Sequence, residues 1–348
     1  MPERPRLIAL NVAVPPYPVD QEDAGRRAAL LFAEHPEVLR LLSVFGNTGI
    51  ERRYSCVPID WYSEPHGWKE RTDLYLTNSV DLLEQVTLAC LADTGLDRED
   101  LDGIVVASTT GIATPSLDAL LIERMKLRRD IARLPIFGFG CAGGVSGLAR
   151  AADMARAMPG SRVLFLVVEL CALTFRKDDI SKSNIVAAAL FGDGAAGAII
   201  TSSGEGPEIG ASGSHTWPNS LDIMGWEVEE DGLKARFAQS IPSLVARDFR
   251  NIASGFLKQH DIAPGSIEGF ACHPGGAKVL DALEDALDVP RGGLAESRSV
   301  LRDYGNMSAA TALFVLHRMN EERGWRERRL MSALGPGFSA AFLMLEGK

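Results

Sequence analysis

Three residues have types and settings that could do chemistry. Cys141 lies in Leu134-Pro-Ile-Phe-Gly-Phe-Gly-Cys-Ala-Gly-Gly-Val-Ser-Gly-Leu148, which reads as an apolar strand, a glycine turn, and a helix from about Ala142 to Met158. A thiol at a helix N-terminus feels the positive end of the helix dipole, which favours the nucleophilic thiolate. His273 sits in Phe270-Ala-Cys-His-Pro-Gly-Gly, at the C-terminal end of a predicted strand. That edge is where open α/β sheets present functional side chains. Asn306, in Tyr304-Gly-Asn-Met-Ser-Ala-Ala-Thr311, opens a second small-residue helix, where asparagine also serves as an ordinary N-cap. A sulfur nucleophile with two donors suited to a developing oxyanion makes an acyl-transfer site. The other cysteines and histidines read as small core residues or surface groups.

Such side chains must be brought together by the fold, and the chain carries a pattern that does so. Short apolar runs alternate with longer amphipathic stretches, which predicts an α/β protein. Residues 20–45 and 72–95 read as helices. Strands are expected at 102–107, 163–168, 195–201, 267–272, 329–333 and 338–345, with 202–232 an exposed excursion. The chain also resembles itself. Leu101-Asp-Gly-Ile104 returns as Ile267-Glu-Gly-Phe270, Gly140-Cys141 as Gly305-Asn306, and Arg162-Val-Leu164 as Arg329-Leu-Met331. The Gly192-Asp-Gly194 turn before a strand returns as Gly335-Pro-Gly337 before the last one. These echoes, in the same order, predict two duplicated α/β halves, residues 1–202 with the cysteine and 203–348 with the histidine and asparagine. A pseudo-twofold between such halves brings the Cys141 and Asn306 helix starts to one centre, with His273 beside them.

Composition narrows the classes. The 348 residues carry 36 Lys+Arg against 46 Asp+Glu, a net charge of −10, which is the wrong sign for a general nucleic-acid binder. Five cysteines without a paired spacing argue against a disulfide framework or a cysteine zinc site. The longest uncharged stretch, 134–149, is too short and glycine-rich to span a membrane. The prolines near the N-terminus break up any leader-like run, so a cytoplasmic protein is expected.

At this point the motifs match a family. Gly140-Cys141-Ala-Gly-Gly, Leu190-Phe191-Gly192-Asp193-Gly194, His273-Pro-Gly-Gly, Gly305-Asn306-Met-Ser-Ala-Ala and Gly335-Pro336-Gly337-Phe338 resemble the type III polyketide synthases, the chalcone synthase-like enzymes. The resemblance runs from about residue 40 to the C-terminus. It implies a thiolase-like fold with the two halves in a five-layered αβαβα arrangement, and a homodimer. It implies no cofactor, coenzyme A thioesters as substrates, and no requirement for an acyl carrier protein. Cys141 would take an acyl starter from CoA, and His273 and Asn306 would hold malonyl-CoA during decarboxylation. The enolate would then attack the Cys141 thioester.

The same resemblance assigns substrate-binding roles to Phe191, a gatekeeper between coenzyme tunnel and reaction cavity, and to the Gly335-Pro336-Gly337 loop. It places Cys171, Thr174 and Ser308 in the pocket wall. Thr114 falls where the plant enzymes contribute a methionine across the dimer, and Ala235 where they have a second gatekeeper phenylalanine. Arg40 matches a basic position at the coenzyme entrance. Ser43 and Asn47 replace two other basic positions, for which Arg52 or Arg53 are candidate substitutes. The smaller side chains predict room for a long starter and an alkylpyrone or alkylresorcinol-type product. An initiating ketosynthase making one condensation is the nearest alternative. A Cys-His-Asn hydrolase is another, opposed by the cysteine's place in the middle of an α/β chain.

Overall fold

A computed structural model describes residues 4–347. Nine strands run side by side, in the order Gly269–Cys272, Arg329–Gly335, Ser339–Glu346, Glu208–Thr216, Arg6–Ala13, Asp193–Thr201, Arg162–Leu170, Gly103–Ala107 and Ala132–Ile136. The two halves repeat one pattern. Gly103–Ala107 runs parallel to Arg162–Leu170, which pairs antiparallel with Asp193–Thr201. In the second half Gly269–Cys272 runs parallel to Arg329–Gly335, which pairs antiparallel with Ser339–Glu346. The half-sheets are joined by a single pair, Arg6 with Glu208. The parallel strands are buried on both faces, and for that reason their sequences are continuous apolar runs rather than alternating ones.

Each half-sheet is covered on its outer face. Helix Trp68–Thr94 places Leu82, Leu83, Val86 and Cys90 on the first sheet, in one core with Ile104, Val106, Leu164 and Leu166. It ends at Gly95, whose φ of 65° closes the helix. On the second sheet Phe249, Phe256, Leu280 and Leu283 pack against Leu330, Phe342 and Met344. Between the sheets lie helices Gly143–Ala157 and Thr311–Arg323, whose Val145, Leu148, Ala152, Leu313 and Leu316 share a third core with both sheets. This is the five-layered thiolase-like arrangement, and its alanine-rich middle layer allows the two central helices to approach closely.

Two expected elements differ from the structure. Residues 20–45 are not one helix: Gln21–Leu31 is capped by the Asp20 carboxylate, and Pro36–Leu39 and Ser43–Asn47 are separate short turns. Pro36 supplies no amide hydrogen and starts a new helix instead of continuing the old one. Residues 202–232 are not a mere excursion, because Glu208–Thr216 is a sheet strand paired with Ser339–Glu346. Its Glu-Ile-Gly-Ala-Ser-Gly-Ser-His-Thr composition lacks the apolar signal of a strand. Its place is fixed by the partner strand and by Phe256, which packs where a side chain at Gly213 would go.

Candidate active site

The three candidate residues arrive at the middle of the molecule from different elements. Cys141 is the centre of a short turn, Gly140–Ala142, leading into the first central helix, and is 7% exposed. That turn is packed from above by the second half. A Cβ on Gly335 would lie 2.4 Å from the Phe139 carbonyl oxygen, and one on Gly140 would lie 2.5 Å from Pro336 Cδ. The expected Gly335-Pro336-Gly337 loop is therefore in direct contact with the Gly140–Ala142 turn, and Gly140 and Gly335 are both required by that approach. His273 follows strand Gly269–Cys272, and its amide donates to the Ser332 carbonyl at 2.8 Å. The imidazole is buried at 4% exposure, and neither ring nitrogen is bonded to a protein group. Both are available to a substrate.

Asn306 is clamped by backbone bonds to the first half. Its amide donates to the Leu190 carbonyl at 2.9 Å and its carbonyl accepts from Gly192 at 3.1 Å. Its Oδ1 accepts from the Ser308 amide at 2.9 Å, which aims the Nδ2 donor pair outward; Nδ2 lies 3.5 Å from the Gly275 carbonyl, two residues past His273. The Ser308 hydroxyl stands near the Cys141 thiol and favours its thiolate. These links tie Cys141, Ser308, Asn306 and the His273 turn into one locus.

Electrostatics at this locus differ from the simple helix-terminus expectation. Burial pushes the Cys141 thiol up from 9.0 to about 12, with the Ser308 hydroxyl pulling the other way. Burial also lowers His273 to about 4. A helix terminus contributes about 0.3–1 kcal/mol, whereas taking a charge out of water costs several kcal/mol, so burial wins. Burial therefore favours the neutral form of both side chains.

A buried carboxyl completes the centre. Glu169, at the end of Arg162–Leu170, accepts through Oε2 from the amides of Thr109 and Thr110, each at 3.0 Å. Thr109 Oγ1 accepts from Gly140 N at 3.1 Å. Burial raises Glu169 from 4.5 to about 7. The folded chain then holds a proton that the unfolded chain has released between those pH values, so its contribution to stability falls as pH rises through that window. Glu169→Gln, neutral throughout, should lose that fall. Urea unfolding at about pH 5 and about pH 8 should show wild type losing more stability than the variant. Equal losses would mean that the carboxyl ionises in the fold as it does in water.

The pocket residues divide. Cys171 and Thr174 line a narrow cavity of about 90 Å³, together with Phe191 at its inner end and Ala28, Leu31 and Phe45 farther out. Phe191 is buried, with the rings of Phe237 and Trp226 at 5.5 and 5.9 Å. Ala235 is buried beside Phe191, Cys171 and Ala187. Aromatic bulk around Phe191 thus comes from Phe237 and Trp226. Thr114 is exposed, outside this chain's own cavity, and Arg40 is on the surface. Arg53 is not a surface phosphate contact: it is 6% exposed and its Nη1 donates to the Phe191 carbonyl. Among the described residues no three His, Cys, Asp or Glu side chains form a metal site, and all five cysteines are buried and unbridged. No helix among them is long and apolar enough to cross a membrane.

Sequence reasoning missed Glu169, Trp226 and the role of Arg53. Glu169 had a signal, a lone acid at the end of the run Val163–Val168. Trp226 had none, because its hairpin, Met224–Glu229 with Gly232–Phe237, reaches Phe191 only through the tertiary fold.

Comparison with known proteins identifies the assembly. Residues 60–204 match the family model for chalcone and stilbene synthases, N-terminal domain, and residues 208–347 the corresponding C-terminal domain. A putative chalcone synthase of Bacillus subtilis (strain 168) is 36% identical, over 97% of both chains. A 1,3,6,8-tetrahydroxynaphthalene synthase of Streptomyces peucetius subsp. caesius is also 36% identical, over 97% of this chain and 92% of the relative. Among solved structures, the 1,3,6,8-tetrahydroxynaphthalene synthase of Streptomyces coelicolor A3(2), a bacterial type III polyketide synthase, superposes with a TM-score of 0.94 at 27% identity, covering 99% of each chain. These likenesses set aside the hydrolase and single-condensation alternatives. The chain belongs to the chalcone and stilbene synthase family and is a type III polyketide synthase, an acyltransferase acting on CoA thioesters.

Proposed function

We propose that the enzyme loads a long-chain fatty acyl group from CoA onto Cys141. It then extends that chain with malonyl-CoA and cyclises it to an alkylpyrone or alkylresorcinol-type product. His273 accepts the thiol proton as the sulfur attacks the acyl thioester, and returns it to the departing CoA thiolate. Malonyl-CoA then loses CO2, and the electron pair of the broken bond becomes an enolate. The oxyanion of that enolate is held by His273 and the Asn306 Nδ2 donor. The enolate carbon attacks the Cys141 thioester, forming the new carbon–carbon bond and releasing the sulfur.

The observation that carries the long starter is the narrow apolar cavity. It is lined by Cys171, Thr174 and Phe191, beside the catalytic locus, and by Ala28, Leu31 and Phe45. At about 90 Å³ the cavity has room for the first few methylenes of an alkyl chain, each gaining about 0.8 kcal/mol on leaving water. Pocket roles for Phe191, Ala235, Ser308 and the Gly335-Pro336-Gly337 loop belong to the same reading, as does Arg40 for a coenzyme phosphate.

A homodimer fits the surface. Strand Ala132–Ile136 is the open edge of the sheet, and Phe137 and Phe139 just beyond it are 62% and 43% exposed, with Ile112 at 46%. A second copy would cover this patch and would receive Thr114 from its neighbour. The chain divides on this reading into 1–202 with Cys141, and 203–348 with His273 and Asn306.

A second reading, a small hydroxylated aromatic product of the kind named for the Streptomyces relatives, is favoured by the 36% identity. One experiment separates the two. Purified enzyme should be given malonyl-CoA alone, and malonyl-CoA with acyl-CoAs from two to eighteen carbons, with products read by mass spectrometry. Extended products should be more abundant with long-chain starters than with acetyl-CoA, as more methylenes leave water. A single aromatic product from malonyl-CoA alone, unchanged by any starter, would select the second reading.

A further inference from the structure

Arg53 is a buried charged side chain in the wall of a mostly apolar cavity. It lies on the short strand Arg52–Ser55. Its Nη1 donates to the Phe191 carbonyl at 3.1 Å, and its guanidinium stands 6.0 Å from the Phe45 ring centroid. Burial lowers it to about 10, so it remains charged at neutral pH, supported by Asp193. The backbone around it is crowded. A Cβ on Gly192 would come within 3.2 Å of Arg53 Cβ, and one on Gly305 within 3.3 Å. Those two glycines flank the lone bridge where Phe191 pairs with Asn306.

We infer that Arg53 is a positioning residue for the decarboxylation half of the reaction: its buried guanidinium fixes the Phe191 carbonyl and, through the Phe191–Asn306 bridge, the Asn306 donor. This rests on the roles proposed above for Cys141, His273 and Asn306. The reasoning follows from connectivity. Asn306 is held by two backbone bonds to Leu190 and Gly192, so the register of that segment sets where Nδ2 points. The segment's middle carbonyl is the one Arg53 holds. A hydrogen bond from a charged donor is about twice as strong as a neutral one, and leaving that carbonyl unpaired in the interior would let the segment move. Cys141 enters from a different element, the Gly140–Ala142 turn, and does not depend on this clamp.

The two half-reactions therefore separate the inference from a general loss of structure. Wild type, Arg53→Met and Arg53→Lys, as full-length enzymes, should be compared in two assays. One is acylation of Cys141 by lauroyl-CoA, read by intact-protein mass spectrometry. The other is CO2 release from malonyl-CoA, with folded fraction checked by circular dichroism. Arg53→Met should acylate within about twofold of wild type while CO2 release falls about tenfold or more. Arg53→Lys, which keeps one charged donor, should recover part of the loss. Unchanged CO2 release overturns the inference, and so does a parallel fall of both activities with the folded fraction. If the methionine variant does not fold, the lysine variant decides: a lowered ratio of decarboxylation to acylation supports the inference and a wild-type ratio overturns it. A wild-type enzyme that neither acylates nor decarboxylates overturns the underlying reading, and the role of Arg53 with it.

Discussion

Replacing Cys141 with alanine should abolish acyl loading and product formation while leaving measurable malonyl-CoA decarboxylation. The change deletes one buried sulfur and keeps the Gly140–Ala142 turn, so the fold should tolerate it. Deleting an enzyme's nucleophile costs activity on the order of 10⁴-fold or more, and the other four thiols are buried in their own surroundings. Cys171 is the nearest rival in the cavity wall, but burial and the neighbouring acids Glu169 and Asp193 push its thiol well above 9.0. Decarboxylation should persist because His273 and Asn306 come from other elements. Intact mass after incubation with an acyl-CoA checks the loading, and CO2 release checks the remainder. An alanine variant that still made full-length product would remove Cys141 from the mechanism.

How much of this was legible beforehand depends on the kind of residue. Cys141, His273 and Asn306 could be found because each sits in a glycine-rich junction whose local sequence departs from its surroundings. The duplication then supplied the convergence that a single motif could not. The Gly335-Pro336-Gly337 loop came instead from the family resemblance, and the structure sets it against the Gly140–Ala142 turn. What sequence could not supply was the balance between burial and dipole at Cys141. The helix terminus is visible as a pattern, but the burial that outweighs it depends on the second half closing over the Gly140–Ala142 turn, with Pro336 against Gly140.

Strand Glu208–Thr216 failed for a related reason. A strand whose neighbours are fixed by Ser339–Glu346 needs little apolar signal of its own, and its glycines make room for Phe256. Arg53 failed because an exposed cation and a buried one look alike in sequence. Arg52 and Arg53 are adjacent and alternate across one strand, so the first faces solvent and the second the interior. Ala235 was read by alignment as a gatekeeper position. Two residues on, Phe237 lies on the same face of its strand, and Trp226 pairs directly with Ala235 across the hairpin. The aromatic mass that packs on Phe191 is carried by those two neighbours.

The proton and oxyanion roles diverge in a way that mutation should expose. Asn306→Ala removes the Nδ2 donor and should cut malonyl-CoA decarboxylation by about 10²–10³-fold, the usual loss for one oxyanion donor. Acyl loading, which needs the thiol and its base, should stay near wild type. His273→Ala should lower both, since the imidazole takes the Cys141 proton in loading and donates to the enolate in decarboxylation. Burial raises the Cys141 thiol and lowers the His273 imidazole, so loading should depend on the base. Raising the pH should then partly rescue loading by His273→Ala, because hydroxide can generate some thiolate, and should do nothing for Asn306→Ala. The double variant should decarboxylate little worse than the poorer single, as groups acting on one oxyanion are not additive. Radiometric CO2 release and single-turnover acylation, followed from about pH 6 to about pH 9.5, measure both arms. If His273→Ala loaded at the wild-type rate at neutral pH, the thiol would have another base. Glu169, raised to about 7 and behind the same turn, would then be the first group to test.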